Sequence, residues 1–199
     1  NSCNNLFNLY AINLLASALF LIGLGMIYGS VGSLNMTDVA RLMPLLEPAE
    51  QRLAVAGGLM LFVVFGIKAA MLPVGFWLPK TYAVAATPVA AFFTIMTKVG
   101  IYAILRINGT VFDDPLSHSI LAPWLLTIGL ITSLYGAIAA LGAERLRRFV
   151  GFMILSSVGT ILVAIAMLNP QAWSGALYYM LHSTLIAAAL YLIGGWITS

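Results

Sequence analysis

Charged residues are scarce in this sequence: only 8% of its 199 residues are aspartate, glutamate, lysine or arginine. An average soluble domain carries roughly 25%. Hydrophobic residues make up 62%, and the mean hydropathy is +1.03. This balance excludes a soluble globular domain and predicts an all-α, polytopic membrane helix bundle surrounded by lipid. The basic residues are scattered, so the net charge of +3 indicates no nucleic-acid partner.

Cysteine is almost absent as well, with Cys3 the one example. That excludes a disulfide framework, and the chain has no Cys/His spacing for a metal. It also lacks a Gly-rich phosphate loop and a haem attachment motif, so we expect no cofactor, no metal and no catalytic residues. Since there is no initiator methionine and no signal-peptide pattern, we expect an internal piece of a longer protein.

Six apolar runs are each about as long as the 20 residues that a bilayer requires. They predict one partial membrane domain over residues 1–199, with no second domain visible. The predicted helices cover approximately residues 9–28, 53–76, 88–105, 121–141, 149–168 and 173–197.

The longest connection between these runs extends from Gly29 to Arg52. Within it, Asn35-Met-Thr-Asp38 can start a short interfacial helix, because asparagine caps helices well. Such a helix would draw its apolar side from Leu42, Met43, Leu45 and Leu46. The alternative is an ordered surface loop.

Short loops rich in arginine predict the orientation. Arg145, Arg147 and Arg148 lie between the fourth and fifth runs, and helix parity puts the Lys80 connection on the same side. We therefore expect this side to be cytoplasmic, although three arginines lie on the opposite side and do not follow the rule: Arg41, Arg52 and Arg106.

A lysine and a predicted helix break lie close together in the second run. Lys68 is followed by Pro73 and Gly75. Because proline removes a backbone donor and crowds the preceding turn, we predict an interruption near Pro73. Broken membrane helices persist where they line a cavity or are covered by protein. Burial favours the neutral form of lysine, so Lys68 is a candidate proton carrier; snorkelling to the interface is the alternative.

The third run contains a second lysine at mid-span. Lys98 is adjacent to Thr97, and Thr94 shares its helical face. This polar stripe on an apolar helix predicts a wet path in the protein interior. Thr94 has a plainer alternative, a hydrogen bond to its own helix. An ionisable residue at this depth is a functional-site hypothesis.

The last run places His182 near mid-span. Histidine is well suited to pass protons near neutral pH, so we predict a relay residue, with hydrogen-bonded packing as the alternative. Ser156, Ser157 and Thr160 are weaker candidates, because hydrogen bonding between helices explains most such residues in membranes.

No acidic residue falls inside an apolar run. All six lie in predicted loops or at helix ends: Asp38, Glu47, Glu50, Asp113, Asp114 and Glu144. Charged groups inside membranes usually have a partner. The partners of Lys68 and Lys98 would therefore lie in further sequence or in another subunit, unless the lysines are neutral.

Several short motifs occur together in this order: Gly66-Ile-Lys-Ala-Ala-Met-Leu-Pro73, Trp77-Leu-Pro79, Thr87-Pro-Val89 and Thr97-Lys-Val-Gly100. Glu144-Arg-Leu-Arg-Arg-Phe149 and Tyr178-Tyr-Met-Leu-His182 follow. Together they resemble the proton-translocating membrane domain shared by Mrp-type cation/proton antiporters and respiratory complex I. The resemblance covers the chain from about Asn13 onward and is greatest to the D subunits of Mrp antiporters.

That resemblance implies a fragment of an antiporter-like fold of about fourteen helices with inverted repeats, here the sixth to eleventh. The family's lysine on a broken helix matches Lys68, its next lysine matches Lys98, and its histidine matches His182. The family's carboxylate on an earlier helix and its charged residue on the twelfth have no counterpart in this sequence.

The resemblance implies an ion-translocating subunit of a multisubunit Na+/H+ antiporter, a transporter subunit rather than an enzyme. It also implies an integral membrane protein of the bacterial inner (plasma) membrane. Its partners would be other subunits, protons and monovalent cations. Two alternatives stay open: the homologous proton-pumping subunit of NADH:quinone oxidoreductase, and a membrane scaffold without transport, for which Lys68 and Lys98 would be dispensable.

Overall fold

The protein is described by a computed structural model. It describes residues 2–111 and 115–198, and the side chains of these residues except at 2–9, 80, 83–84, 115–120 and 197–198. The described residues form helices and short connections without a strand. The predicted loop acids Asp113 and Asp114 lie outside the described residues.

The described residues form eight α-helices in sequence. They are α1 (Ser2–Val31), α2 (Met36–Leu42), α3 (Pro48–Lys68), α4 (Trp77–Val84), α5 (Thr87–Asn108), α6 (Pro115–Leu141), α7 (Leu146–Ala166) and α8 (Pro170–Thr198). Six of them, all but α2 and α4, are long and apolar enough to cross a membrane, which confirms the predicted all-α class and number of spans.

Helix ends differ from the predicted span ends because a helix can continue past the apolar run. α3 begins at Pro48, five residues before the predicted start at about 53. Proline is favourable at a first helical position, and Glu50 in the first turn interacts well with the helix dipole. α3 then ends at Lys68, eight residues before the predicted end at about 76, because the helix break lies earlier than its proline.

The short helix predicted in the first connection is present as α2. The Asn35 side chain accepts a hydrogen bond of 3.1 Å from the backbone N–H of Thr37, which caps the helix. Its apolar side differs from the expected one: Val39 and Met43 are buried, whereas Leu45 is 79% exposed. The inward face begins one turn earlier than expected, because the chain leaves α2 through a 3-10 turn at Met43–Leu45.

One compact unit comprises Asn1–Ile67 and Ala103–Ser117. Its core lies around Ile27, Met43 and Leu61. Within it α1 and α3 cross closely, since a Cβ on Gly57 would lie 2.8 Å from the carbonyl oxygen of Gly23. Small residues at helix crossings bring backbones together in membranes, where association depends on packing rather than on the hydrophobic effect.

The other compact unit comprises Lys68–Tyr102 and His118–Ser199. Its central element is α7, which packs against α4 and α8 and is buried along most of its length. α6 also crosses α7 closely: a Cβ on Gly159 would lie 2.3 Å from the backbone nitrogen of Ser133, and one on Gly136 would lie 2.4 Å from that of Ser156. These contacts determine which face of α7 is turned toward the other helices.

Candidate functional site

Lys98 is enclosed within the second compact unit. It is 4% exposed and lies eleven residues after the start of α5, about 16 Å along the helix axis. The Nζ atom donates a hydrogen bond to the Oγ atom of Ser157 on α7. Among the described residues this hydroxyl is the polar partner of the ammonium group. A lysine so deep in a membrane span needs such contacts to remain stable.

Thr94 and Thr97 line the α5 stripe next to Lys98, and both are fully buried. The Thr94 hydroxyl donates to the carbonyl of Ala91 at 2.7 Å, and the Thr97 hydroxyl donates to the carbonyl of Thr94 at 2.9 Å. The hydrogen bond of Thr94 to its own helix, the plainer alternative, is therefore observed. Each hydroxyl oxygen still has lone pairs that can accept a hydrogen bond from water.

Ser157 connects α5 to the space between α7 and α8. It is 6% exposed, and its hydroxyl donates to the carbonyl of Ile154 at 2.7 Å while accepting from Lys98. The sequence had indicated only a helix-packing role for this serine. Ser157 lies 59 residues after Lys98, so no local sequence pattern could predict the hydrogen bond between the two side chains.

A cavity of about 190 Å³ lies between α7 and α8. Ser157 and His182 both line it, together with Tyr179 and Ser183 and with apolar residues from the two helices. This volume has room for several water molecules, and the serine, tyrosine and histidine supply polar partners for them. The cavity thus brings the partner of Lys98 and the candidate relay histidine to one space.

His182 is exposed in this part of the chain, and its ring stacks on that of Tyr178 with 6.3 Å between centroids and 11° between planes. Tyr178 lies one helical turn before it on α8, so the stack limits the orientations of the imidazole. His182 therefore has a defined place at the cavity.

Lys68 is the last residue of α3 and lies immediately before the break. It is half-buried, in contrast to Lys98. It is not among the described residues that line the cavity between α7 and α8. The structure thus links Lys98 to Ser157, places Ser157 and His182 at the same cavity, and puts Lys68 at the helix break.

The break between α3 and α4 confirms the predicted interruption. After Lys68 the chain turns through Ala70, whose φ of 59° is left-handed, and then forms a 3-10 turn at Val74–Phe76. Gly75 meets the returning chain here: a Cβ on it would lie 1.9 Å from the carbonyl oxygen of Ala70. Only glycine, which has no Cβ, fits this close contact between the backbones of residues 70 and 75. Pro73 is exposed at the turn.

Thr132 on α6 stabilises this break from outside. Its fully buried hydroxyl accepts a 3.2 Å hydrogen bond from the backbone N–H of Leu72 and donates one of 2.6 Å to the carbonyl of Ile128. A break leaves backbone groups without helical partners, and in lipid these must be satisfied within the protein. Thr132 could not be predicted from the sequence, since a threonine 60 residues away carries no local signal for the break.

Arg147 ties the start of α7 to the connection between α4 and α5. Its guanidinium group donates to the carbonyl of Ala85, and its own carbonyl accepts from the Tyr191 hydroxyl at 3.3 Å. The two connections therefore lie on one side of the helices, as the parity argument requires. That this side is cytoplasmic stays a prediction.

A metal site is not formed by the described part of the chain, where no three histidine, cysteine, aspartate or glutamate side chains come together. The cavity is lined by hydroxyl groups and the imidazole of His182, and the ammonium group of Lys98 is bonded to one of these hydroxyls, that of Ser157. All of these groups can exchange protons.

A family model described as "NADH:quinone oxidoreductase/Mrp antiporter, TM" matches residues 2–199. The chain is 43% identical to the D subunit of a probable K(+)/H(+) antiporter of Rhizobium meliloti (strain 1021), over 92% of this chain and 34% of that protein. It is 35% identical to the D subunit of the Na(+)/H(+) antiporter of Bacillus subtilis (strain 168), over 92% of this chain and 36% of that protein. The chain thus spans about a third of the length of these relatives.

Solved structures show the same arrangement of helices. A chain of the Mrp complex from Dietzia sp. DQ12-45-1b is 33% identical with a TM-score of 0.81, covering 92% of this chain and 33% of that chain. A chain of respiratory complex I from Thermus thermophilus with bound NADH has a TM-score of 0.83 over 98% of this chain and 41% of that chain. At 22% identity the second likeness shows the fold alone.

Proposed function

Because this chain belongs to the NADH:quinone oxidoreductase/Mrp antiporter transmembrane family, we propose that it is part of an ion-translocating subunit of a multisubunit monovalent cation/proton antiporter. It belongs to an integral membrane protein, and six helices of its described residues are long and apolar enough to span the bilayer. In bacteria such a protein lies in the plasma membrane.

The observation that carries the proposal is the surroundings of Lys98. Its ammonium group is buried within a span and bonded to Ser157, which faces a cavity shared with His182. A scaffold has no need for a buried lysine bonded to a serine at the edge of a cavity, because apolar side chains would pack there at lower cost. A proton-carrying chain needs groups that exchange protons at short range, and this set supplies them.

The proposed mechanism is a proton relay near the midplane, from Lys68 to Lys98 and onward to His182. Waters carry the proton where side chains do not meet. A positive charge that arrives beside one lysine disfavours the charged form of the next, so the proton is expelled forward by like-charge repulsion. Thr94 and Thr97 support the path by offering lone pairs to water beside Lys98.

The antiporter is favoured over a complex I subunit by the level of identity. The chain is 43% and 35% identical to proteins named as antiporter D subunits, but 22% and 26% identical to chains of complex I. Under this proposal the protein is a secondary transporter subunit and not an enzyme. Its partners are membrane lipid, the other subunits of the complex, protons and a monovalent cation.

The proposed function is tested with the intact complex in everted membrane vesicles. After respiration has acidified the lumen, addition of Na+ or K+ should release protons, seen as recovery of a quenched pH-sensitive dye. Vesicles from a strain that lacks this subunit should show no recovery. If no monovalent cation gives recovery and the subunit instead co-purifies with a quinone-reducing complex, the complex I alternative replaces the antiporter.

His182 offers a prediction that separates proton transfer from packing. We expect His182→Gln and His182→Ala to lower cation-driven proton release by about a hundredfold per assembled complex, the smaller end of a general acid–base contribution. Glutamine keeps hydrogen-bonding groups but does not carry a proton. The other histidine of the chain, near the start of α6, supplies the matched control His118→Gln, which should be mild. Normal transport with His182→Gln would show that the imidazole serves packing only.

A further inference from the structure

Ser157 contacts both Lys98 and the cavity between α7 and α8. On one side its oxygen accepts a hydrogen bond from Lys98, and on the other side the residue lines the cavity that holds His182. Lys98 is not among the residues that line this cavity. A proton that travels from Lys98 to the described cavity therefore meets the Ser157 hydroxyl first.

The hydroxyl has more than one orientation available to it. In the structure the hydroxyl donates to the carbonyl of Ile154, with 2.7 Å between the two oxygens, and it accepts from the ammonium group of Lys98. Serine and threonine hydroxyls rotate to suit their partners, and one oxygen can both donate and accept. The same group can therefore accept from charged Lys98, donate to neutral Lys98, or donate to a water in the cavity.

We propose that Ser157 is a relay residue, whose hydroxyl hands protons between Lys98 and water in the cavity between α7 and α8. This inference rests on the proposed function and adds a named group to its path. In the forward step an N–H bond of the Lys98 ammonium breaks while a new O–H bond forms on Ser157. The original O–H bond of Ser157 breaks at the same time, and its proton joins a cavity water.

The products are a neutral Lys98 amine, an unchanged serine hydroxyl and a protonated water that can pass its proton to His182. The hydrogen now on the serine came from Lys98 and points toward the lysine nitrogen, so a proton can return along the same bonds. Before a second forward transfer the hydroxyl rotates so that its hydrogen points toward the cavity water again. No oxidant or reductant takes part in this exchange.

Three variants of the intact complex test the proposal in the same vesicle assay. Ser157→Ala removes the hydroxyl, and transport per assembled complex should fall by about tenfold, since hydrogen bonds to charged groups are among the stronger ones. Ser157→Thr restores a hydroxyl and should recover most of the rate. Ser156→Ala, the same change one residue earlier on α7, should transport normally.

The results separate the role of the hydroxyl from other roles of the residue. Normal transport in Ser157→Ala would overturn the relay role. Equal loss in Ser157→Ala and Ser157→Thr would overturn it too, because the shape of the side chain would then matter and not its hydroxyl. Lys98→Ala, assayed alongside, keeps the two proposals apart: transport that survives this change contradicts the proposed function, whereas an inactive Lys98→Ala with a normal Ser157→Ala contradicts only the role of Ser157.

Discussion

We expect Lys98→Ala to abolish cation-driven proton release in the intact complex while the complex still assembles. The lysine is 4% exposed, and its bond to Ser157 aims the ammonium group toward the cavity side of α7. Alanine cannot hold a proton, so the relay would be interrupted at its centre. Alanine is also a good helix former, and the change removes the free-energy cost of a charge inside the membrane. We therefore expect α5 to remain intact. The measurement is dye recovery in everted vesicles, with subunit levels followed by blot.

Lys98→Arg is the sharper variant of the same experiment. An arginine remains charged at any accessible pH and cannot release its proton, so we expect transport to fail here as well. Arg41→Ala removes an exposed cation from α2 and should leave transport close to wild type. Normal transport in Lys98→Ala at normal subunit level would refute the relay and leave this helix with a structural role.

Gly75→Ala should sharply lower the thermal stability of the complex. A Cβ at this position would lie 1.9 Å from the carbonyl oxygen and 2.8 Å from the carbonyl carbon of Ala70, and both are backbone atoms. Because no side chain can move aside, the break between α3 and α4 must open, which displaces Lys68 at its edge. Overpacking of this kind costs about 1–3 kcal/mol or more. Size-exclusion chromatography after a heating series gives the midpoint temperature.

Gly25→Ala is the matched control for this experiment. Gly25 also lies within a membrane helix, but a Cβ there would meet nothing within 4 Å in the described structure. Since alanine is the better helix former, this change should leave the midpoint unchanged or raise it slightly. If Gly75→Ala and Gly25→Ala denature at the same temperature, the close approach at the break does not limit stability.

The helix break shows how far local sequence patterns reach. Pro73 and Gly75 predicted an interruption, because proline and glycine act on their own backbone. The interruption nonetheless begins at Lys68, because the chain turns through Ala70 and is held by Thr132. The threonine comes from another helix, so only the packed structure could identify it.

The sequence by itself determined the membrane class, the number of spans, the break and the depth of Lys98. Each of these follows from short-range physics: the bilayer sets the length of an apolar run, and backbone groups in lipid are satisfied within a helix except where protein covers a break. The position of a lysine within such a run then gives its depth directly.

Tertiary structure alone decided which groups meet. The bond from Lys98 to Ser157 and the cavity shared by Ser157 and His182 depend on how α7 is rotated and how closely its neighbours approach. That rotation is set by glycine contacts such as Gly159 against Ser133, where backbones touch between helices. In such helices apolar residues occur on every face, so the sequence does not indicate which face is turned toward a neighbouring helix. Packing between distant segments determines which side chains meet.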